Sequence, residues 1–263
     1  MLEFLKSSTF RANDVFFRAL TILKKHYISI AGLCFMLFVT NTLSTYLALY
    51  LDTLVSDVVK VLLLLVFIVV FFSLQLVLIK RAVLLANNIE HAPFMTYLPS
   101  VKQFFNFIFG LLIYSILLPA IYLICSILCM PLLYLGVEMD TILWEINPFL
   151  TGLLMMIILI RISFFPFFIL EKGFNIIRAF KLSIAFTKGN VVNLMILMLI
   201  LASTYIFQLT FEYLEYFLLA KISGILNTFI VIPSVSVVMS VAYVDMIREY
   251  KGSDDPELFK NIL

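Results

Sequence analysis

Arg161 is the residue whose position asks most of its surroundings. It sits in Leu159-Ile160-Arg161-Ile162, inside a long apolar run and about nine residues from that run's basic end. At roughly 1.5 Å per helical residue, that places the guanidinium near mid-bilayer. A charge there costs about 2.5–3.5 kcal/mol or more on insertion scales, so it must face protein, water or a carboxylate. Two readings stand open. In one, Arg161 contacts a substrate or lipid headgroup in a polar cavity. In the other, it bonds polar neighbours in the bundle or snorkels toward the interface. Glu171, ten residues later and nearer the interface, is the candidate acidic partner. Gln75, Asn193 and Gln208 are the polar groups on other runs.

The remaining reactive residue types offer less. Glu212 and Glu215, in Phe-Glu-Tyr-Leu-Glu-Tyr, can share a helical face and so could act as acid and base or bind a cation. Tyr213, Tyr216 and Phe217 beside them have the look of an interfacial aromatic belt, which favours a solvated helix end. Cys34, Cys125 and Cys129 all fall in apolar runs, and His26 and His91 are far from them, so small apolar packing is expected rather than metal or redox chemistry. Asp245 closes the last run and is expected to pair with Arg248. No HExxH, GxSxG, P-loop or GxGxxG pattern is present. The expectation is a protein that is not an enzyme and holds no cofactor or metal.

These residues are carried by elements that only a bilayer can accommodate. Hydrophobic residues make up 63% of the 263 positions and charged residues 13%, against about a quarter charged in soluble domains. The mean hydropathy is +1.13. Spans are expected at about 27–50, 58–79, 104–128, 148–170, 191–211 and 222–246. The run from Tyr27 to Tyr50 is longer than a signal-peptide core of roughly 7–15 residues, so it is expected to be an uncleaved first span. Prolines 119, 166 and 233 inside spans predict kinks. The fold class expected is an all-α polytopic membrane protein, a single integral membrane domain over residues 1–263.

Charge placement predicts the orientation. Fifteen of the eighteen basic residues fall in the terminal segments and in alternate connections, including Lys6, Arg18, Lys24, Lys25, Lys80, Arg81, Lys172, Arg178, Lys181, Lys188 and Lys260. The other connections are acidic: Asp52 and Asp57; Glu138, Asp140 and Glu145; Glu212 and Glu215. Both termini are therefore expected on the cytoplasmic side. Two basic amphipathic helices, about 14–26 and 175–188, precede the first and fifth spans, and their cores Phe-Phe-Arg-Ala-Leu (16–20) and Ile-Ile-Arg-Ala-Phe (176–180) match in pattern. Thr96–Gln103 is a shorter, more polar counterpart before the third span. The chain can thus be read as three units beginning near residues 13, 92 and 174, each an interfacial helix followed by a hairpin. Equally open is that basic helices precede spans simply to anchor them at headgroups. The interfacial contacts expected are Arg18, Lys24, Lys25, Arg178, Lys181 and Lys188.

The segment Glu171–Asn190, entered from the Arg161-bearing span, carries an acidic-glycine turn (Glu171, Gly173), an Ala-x-x-x-Ser helix (Ala179, Ser183) and the break Lys188-Gly189-Asn190. It resembles the signature of YciC-like bacterial inner-membrane proteins and of the membrane domain fused to some glycerophosphodiester phosphodiesterases. The resemblance is specific over about thirty residues and otherwise rests on the six-span layout. It implies a bacterial cytoplasmic membrane and supplies no catalytic residue, since in the fused members the hydrolase is a separate soluble domain.

The function expected is a non-enzymatic membrane subunit or scaffold in an envelope process. Its partners would be the bilayer, through anionic headgroups at the cytoplasmic face, and other membrane proteins, with no nucleic acid. The alternative is a small transporter or lipid-handling protein with a polar cavity around Arg161.

Overall fold

The computed structural model describes residues 11–51 and 56–251. Lys6, Asp52 and Lys260, counted above in the charge distribution, lie outside them. Helices α1 (Ala12–Leu51), α2 (Asp57–Ala86), α3 (Val101–Cys129), α4 (Asn147–Ile162), α5 (Phe165–Lys172), α6 (Ile176–Thr187), α7 (Val191–Tyr213), α8 (Phe217–Leu226) and α9 (Ile232–Lys251) follow one another, with no strand among the described residues. Six stretches are long and apolar enough to cross a membrane, and the chain is a multi-pass membrane protein. The ends of the bundle differ in charge. One carries the basic connections and is called the basic end; the other carries the turns with Asp57, Glu138, Asp140, Glu145, Glu212 and Glu215, the acidic end.

The fifth span matches its expected outline, and several others depart from theirs for a local reason. The 14–26 amphipathic helix is not separate from the first span. Both belong to α1, and the ladder breaks only at His26 (φ −118°, ψ 21°). The second span does not stop at Lys80-Arg81 but runs to Ala86, because Arg81 turns its head into the following connection and leaves the helix intact. Val101 already belongs to α3, whose capping box pairs Ser100 with Gln103, so Thr96–Gln103 forms no helix of its own.

The 148–170 span is broken at Ser163-Phe164, where Pro166 opens α5. A π-helical turn, Ile142–Ile146, leads into it, and a second, Asn227–Val231, separates α8 from α9. Each π turn ends two residues before a proline, Pro148 or Pro233, which offers no N–H to the preceding turn. Tyrosines on other helices supply the missing donor. The Tyr27 hydroxyl donates to the Phe229 carbonyl at 2.9 Å and that of Tyr122 to the Leu143 carbonyl at 3.2 Å.

The core gathers toward the basic end. Leu76–Leu78 and Ala82–Ala86 of α2, nearly all of α5, and Val237–Val244 of α9 hold the densest burial, whereas none of the first fifteen residues of α2 is buried. The first and last units share one burial register. Ala19, Leu23, Ile30, Cys34 and Leu37 are buried on α1; Ala179, Ser183, Asn190, Leu194 and Leu197, each 160 positions later, are buried along α6 and α7. Along the return arms the register moves by one, and seven buried residues of α2 from Leu76 to Ala86 map onto buried residues of α9 from Val237 to Ile247. One extra residue is what a π turn inserts. The middle unit, lacking a leading helix, stands apart.

Candidate functional site

A helix has four carbonyls at its C-terminus without an internal partner, and inside a membrane water cannot serve them. Three short or interrupted helices end at the basic end of this bundle, so unpaired carbonyls collect there. The polar side chains singled out above are largely consumed by that problem.

Arg161 is the clearest case. Its guanidinium Nη1 donates to the Ile184 carbonyl at 3.3 Å, in the last turn of α6. A cation at a helix C-terminus is favourable because the aligned peptide dipoles leave partial negative charge there. The bond is reciprocal at the backbone. Ser183 Oγ donates to the Arg161 carbonyl at 2.8 Å and the Phe164 N–H donates to Ser183 Oγ at 3.1 Å, while Thr187 Oγ1 lies 3.3 Å from the same carbonyl and 2.8 Å from its nearer acceptor, the Ser183 carbonyl. Ser183 and Thr187 are fully buried and one turn apart, so α6 stands against the break in the fourth span instead of lying free at the interface. Ala179, also fully buried, lets α6 approach closely. The Ala-x-x-x-Ser spacing is therefore the face that caps a broken helix.

The depth assigned to Arg161 assumed one straight helix to Leu170. The break at Ser163-Phe164 changes that geometry and sets Arg161 level with the end of α6, just before the fifth span begins.

Glu171 does not meet Arg161. Its Oε2 accepts from the Tyr243 hydroxyl at 2.6 Å, and Oε1 lies 3.8 Å from Lys172 Nζ. Among the described residues no carboxylate pairs with Arg161. Tyr243 is buried among Phe164, Phe167 and Phe168, with ring centroids 6.2, 5.0 and 5.2 Å away. One end of this side chain thus packs in the aromatic core and the other satisfies a half-exposed carboxylate.

Arg18, expected at the headgroups, is engaged within the bundle. It pairs with Asp245 and, at 2.9 Å, donates through Nη2 to the carbonyl of Ala86, the last residue of α2. It ties the starts and ends of α1, α2 and α9 together, and Asp245 pairs across the bundle with Arg18 rather than along its own helix with Arg248. Arg81 does similar work for the 87–100 connection, reaching the Glu90 carbonyl at 3.1 Å, the Tyr97 hydroxyl at 2.6 Å and Ser29 Oγ at 3.2 Å. Gln103 caps a second helix besides its own: its Nε2 donates to the carbonyls of Ile169 and Leu170 at 3.2 and 2.9 Å.

The other basic residues divide. Lys25 pairs with Glu90, and His26 Nε2 lies 3.8 Å from the same carboxylate. That hydrogen bond, helped by the nearby charges of Lys25, His26 and His91, holds the Glu90 carboxyl below its usual range. Lys24, Arg178, Lys181 and Lys188 are exposed. On α6 the exposed face holds Ile177, Lys181 and Ile184, with Arg178 beside it and Lys188 just past the helix end, so two large apolar groups at 69% and 46% exposure lie next to cations.

At the acidic end Glu212 accepts from Gln208 Nε2 at 2.9 Å, and Gln208 Oε1 accepts from the buried Asn227 Nδ2 at 2.6 Å. This amide chain closes the hairpin of α7 and α8. Glu215 forms its turn with a left-handed φ of 60° and stays exposed. Between the corresponding halves of α1 and α2 lies instead an open cleft of about 540 Å³, whose walls include Ser44, Ala48, Lys60, Leu64 and Phe67.

Cys34, Cys125 and Cys129 are buried free thiols, and among the described residues no three His, Cys, Asp or Glu side chains group as a metal site. Asn147, fully buried, donates to Ser126 Oγ at 2.6 Å, a polar contact across the middle hairpin that the sequence did not announce. Compared with family models, curated proteins and solved structures, the chain matches none.

Proposed function

We propose that this chain is a non-enzymatic membrane subunit or scaffold, seated in a bacterial cytoplasmic membrane with both termini inside and acting with other membrane proteins and anionic lipids. The gathering of fifteen of the eighteen basic residues in the terminal segments and alternate connections of the sequence supports the orientation. The YciC-like character of Glu171–Asn190 supports the family and its membrane.

The observation that carries the reading is the division of labour on α6. Its inner face is spent on Arg161, Phe164 and the core, while its outer face exposes Arg178 and Lys181 beside Ile177 and Ile184, with Lys188 exposed just past its end. Such a face can lie along headgroups, each cation near the surface adding about 1 kcal/mol. Because the helix is bolted to the broken span, whatever binds this face is felt by α4, α5 and α7 together.

The test is purification in mild detergent of the wild type and of the triple variant Arg178→Glu, Lys181→Glu, Lys188→Glu. The reading expects the variant to fold but lose bound anionic lipid and stoichiometric partner proteins. An unchanged set of lipids and proteins would refute it. The second reading, a lipid-handling protein, has the α1–α2 cleft on its side; Arg161, bonded to the end of α6, gives it less support.

A further inference from the structure

Cations gather at the end of α6 without enough negative charge to meet them. The Ile184 carbonyl, in the last turn of the helix, receives Arg161 Nη1 at 3.3 Å. Lys181 stands one turn before Ile184 and Lys188 one turn after it, just past the helix end, and both are exposed. A helix C-terminus offers about half a negative charge, which three cations exceed several times over. Among the described residues none of the three pairs with a carboxylate.

Arg161 also keeps donors in reserve. Its guanidinium carries five N–H groups in a planar fork. The bond to Ile184 is the one its side chain makes among the described residues. The side chain is half-buried and held from both sides, its head by the Ile184 carbonyl and its own carbonyl by Ser183. The fork is thus positioned before any ligand arrives, which lowers the ordering cost of binding. Such a fork fits a phosphate through two parallel bonds.

The neighbouring surface identifies what carries the phosphate. Ile157 and Leu154, one and two turns back along α4, lie on the Arg161 side of that helix and are exposed. α4 runs from the acidic end to the basic end, so both lie toward mid-bilayer from the guanidinium. Arg161 itself is level with the end of α6, where a bilayer presents its phosphates. A phosphate at the fork with an acyl chain along Ile157 and Leu154 uses both halves of this surface. A soluble anion leaves the apolar half unused. A headgroup ammonium would meet three cations there, so a lipid of net negative charge fits better than a zwitterionic one.

We propose that Arg161, with Lys188 and Lys181, binds the phosphate of one anionic glycerophospholipid whose acyl chain lies along Ile157 and Leu154. This deepens the scaffold reading and rests on its anionic-lipid half, giving one lipid a fixed seat in place of a diffuse attraction.

The test uses the full chain reconstituted with equal amounts of phosphatidylglycerol, phosphatidylethanolamine and phosphatidylcholine, then released for native mass spectrometry. One retained phosphatidylglycerol per chain is expected, preferred about tenfold over either zwitterionic lipid, as one charge-assisted bond implies. Arg161→Gln keeps an N–H for the Ile184 carbonyl but loses the fork and the charge, and should lose the lipid. Should it fail to fold, Lys188→Gln leaves the Arg161 bond intact and should weaken retention several-fold. Arg248→Gln removes an exposed cation at the same end of the bundle and should change nothing. Retention indifferent to Arg161→Gln and Lys188→Gln, equal retention of a zwitterionic lipid, or loss on Arg248→Gln would overturn the proposal. So would displacement of the lipid by inorganic phosphate at matched ionic strength, or a photoreactive group at position 157 that labels a protein instead of lipid. The two readings fail separately. If the triple variant above loses its protein partners while Arg161→Gln keeps its phosphatidylglycerol, the seat is refuted and the scaffold stands. If Arg161→Gln loses the lipid while the triple variant keeps its partners, the seat stands and the scaffold falls.

Discussion

The first and last hairpins bury the same positions at the basic end and behave oppositely at the acidic end. α1 and α2 part around a cleft of about 540 Å³; α7 and α8 are held by the chain Asn227–Gln208–Glu212. The first hairpin has one less apolar and one more apolar arm than the last, so hydrophobicity does not by itself sort the open hairpin from the closed one. The difference teaches that in a bilayer polar bonds and close packing can hold a hairpin shut, here through the bond between Asn227 and Gln208. A second contrast lies at the basic end. Where the last unit has Ser183, the first has Leu23, and both are buried. Only the serine faces a broken helix, so only there is a hydroxyl required.

That second contrast yields the largest effect. Ser183→Ala leaves the Phe164 N–H and one bond of the Arg161 carbonyl unmet in a dry site, and should cost about 2–4 kcal/mol. Leu23→Ala at the matching position makes only a cavity, for about 2–3 kcal/mol given its position near the rim of the core. Unfolding in mixed micelles distinguishes them, because only the serine variant should loosen α5 and α6 in hydrogen exchange. Equal exchange patterns would break the comparison.

Next comes the clamp. Gln208→Leu strands the buried Asn227 amide and should destabilise by about 1 kcal/mol, the usual size of such bonds between membrane helices. Gln208→Leu with Asn227→Leu should recover stability yet leave the hairpin as open as the first. A double variant that stays closed would show that packing alone suffices. Arg18→Met should cost a similar amount, about 1–2 kcal/mol, since the pair with Asp245 is only partly buried and the Ala86 carbonyl also loses its donor. Proteolysis or exchange at the ends of α1, α2 and α9 reports it, and a change confined to one helix would contradict the assigned tie.

The smallest effect is in pH. The carboxyl of Glu90 is lowered in the folded chain, so its contribution is present above the ordinary glutamate value of about 4.3 and disappears as pH falls through the lower folded value. The 87–93 connection should therefore be less protected in acid, once the slower intrinsic exchange at low pH is corrected for. Lys25→Ala should remove that dependence and bring the acid-state behaviour to neutral pH.

Much of the architecture was legible because hydropathy and charge act over whole segments. Six spans, the basic and acidic ends and the likeness of 16–20 to 176–180 all follow from residue types at known spacing. The breaks were less legible. Pro166 announces a kink, yet the capping by Ser183 and Thr187 joins residues from separate elements, and spacing along one helix says nothing about which helix lies opposite. Arg161 stands out as a charge in an apolar run, but the group it bonds is a backbone carbonyl, which no side-chain pattern can reveal. Arg18 looked like a headgroup contact for the same reason, its real partners lying 68 and 227 positions away. Gln208 and Asn227 were visible as polar residues in apolar runs. Their meaning emerged only beside Ala48 and Phe67, the residues 160 positions earlier on the walls of the cleft.

The most direct test compares the two hairpins with matched probes. In a cysteine-free background reconstituted in nanodiscs, spin labels go on Leu49 and Leu62, and in a second protein on Leu209 and Ile222, all exposed and related by the same 160-residue step. Pulsed electron resonance should give a longer, broader distance distribution for the first pair and a short, narrow one for the second. Matching narrow distributions would contradict the account.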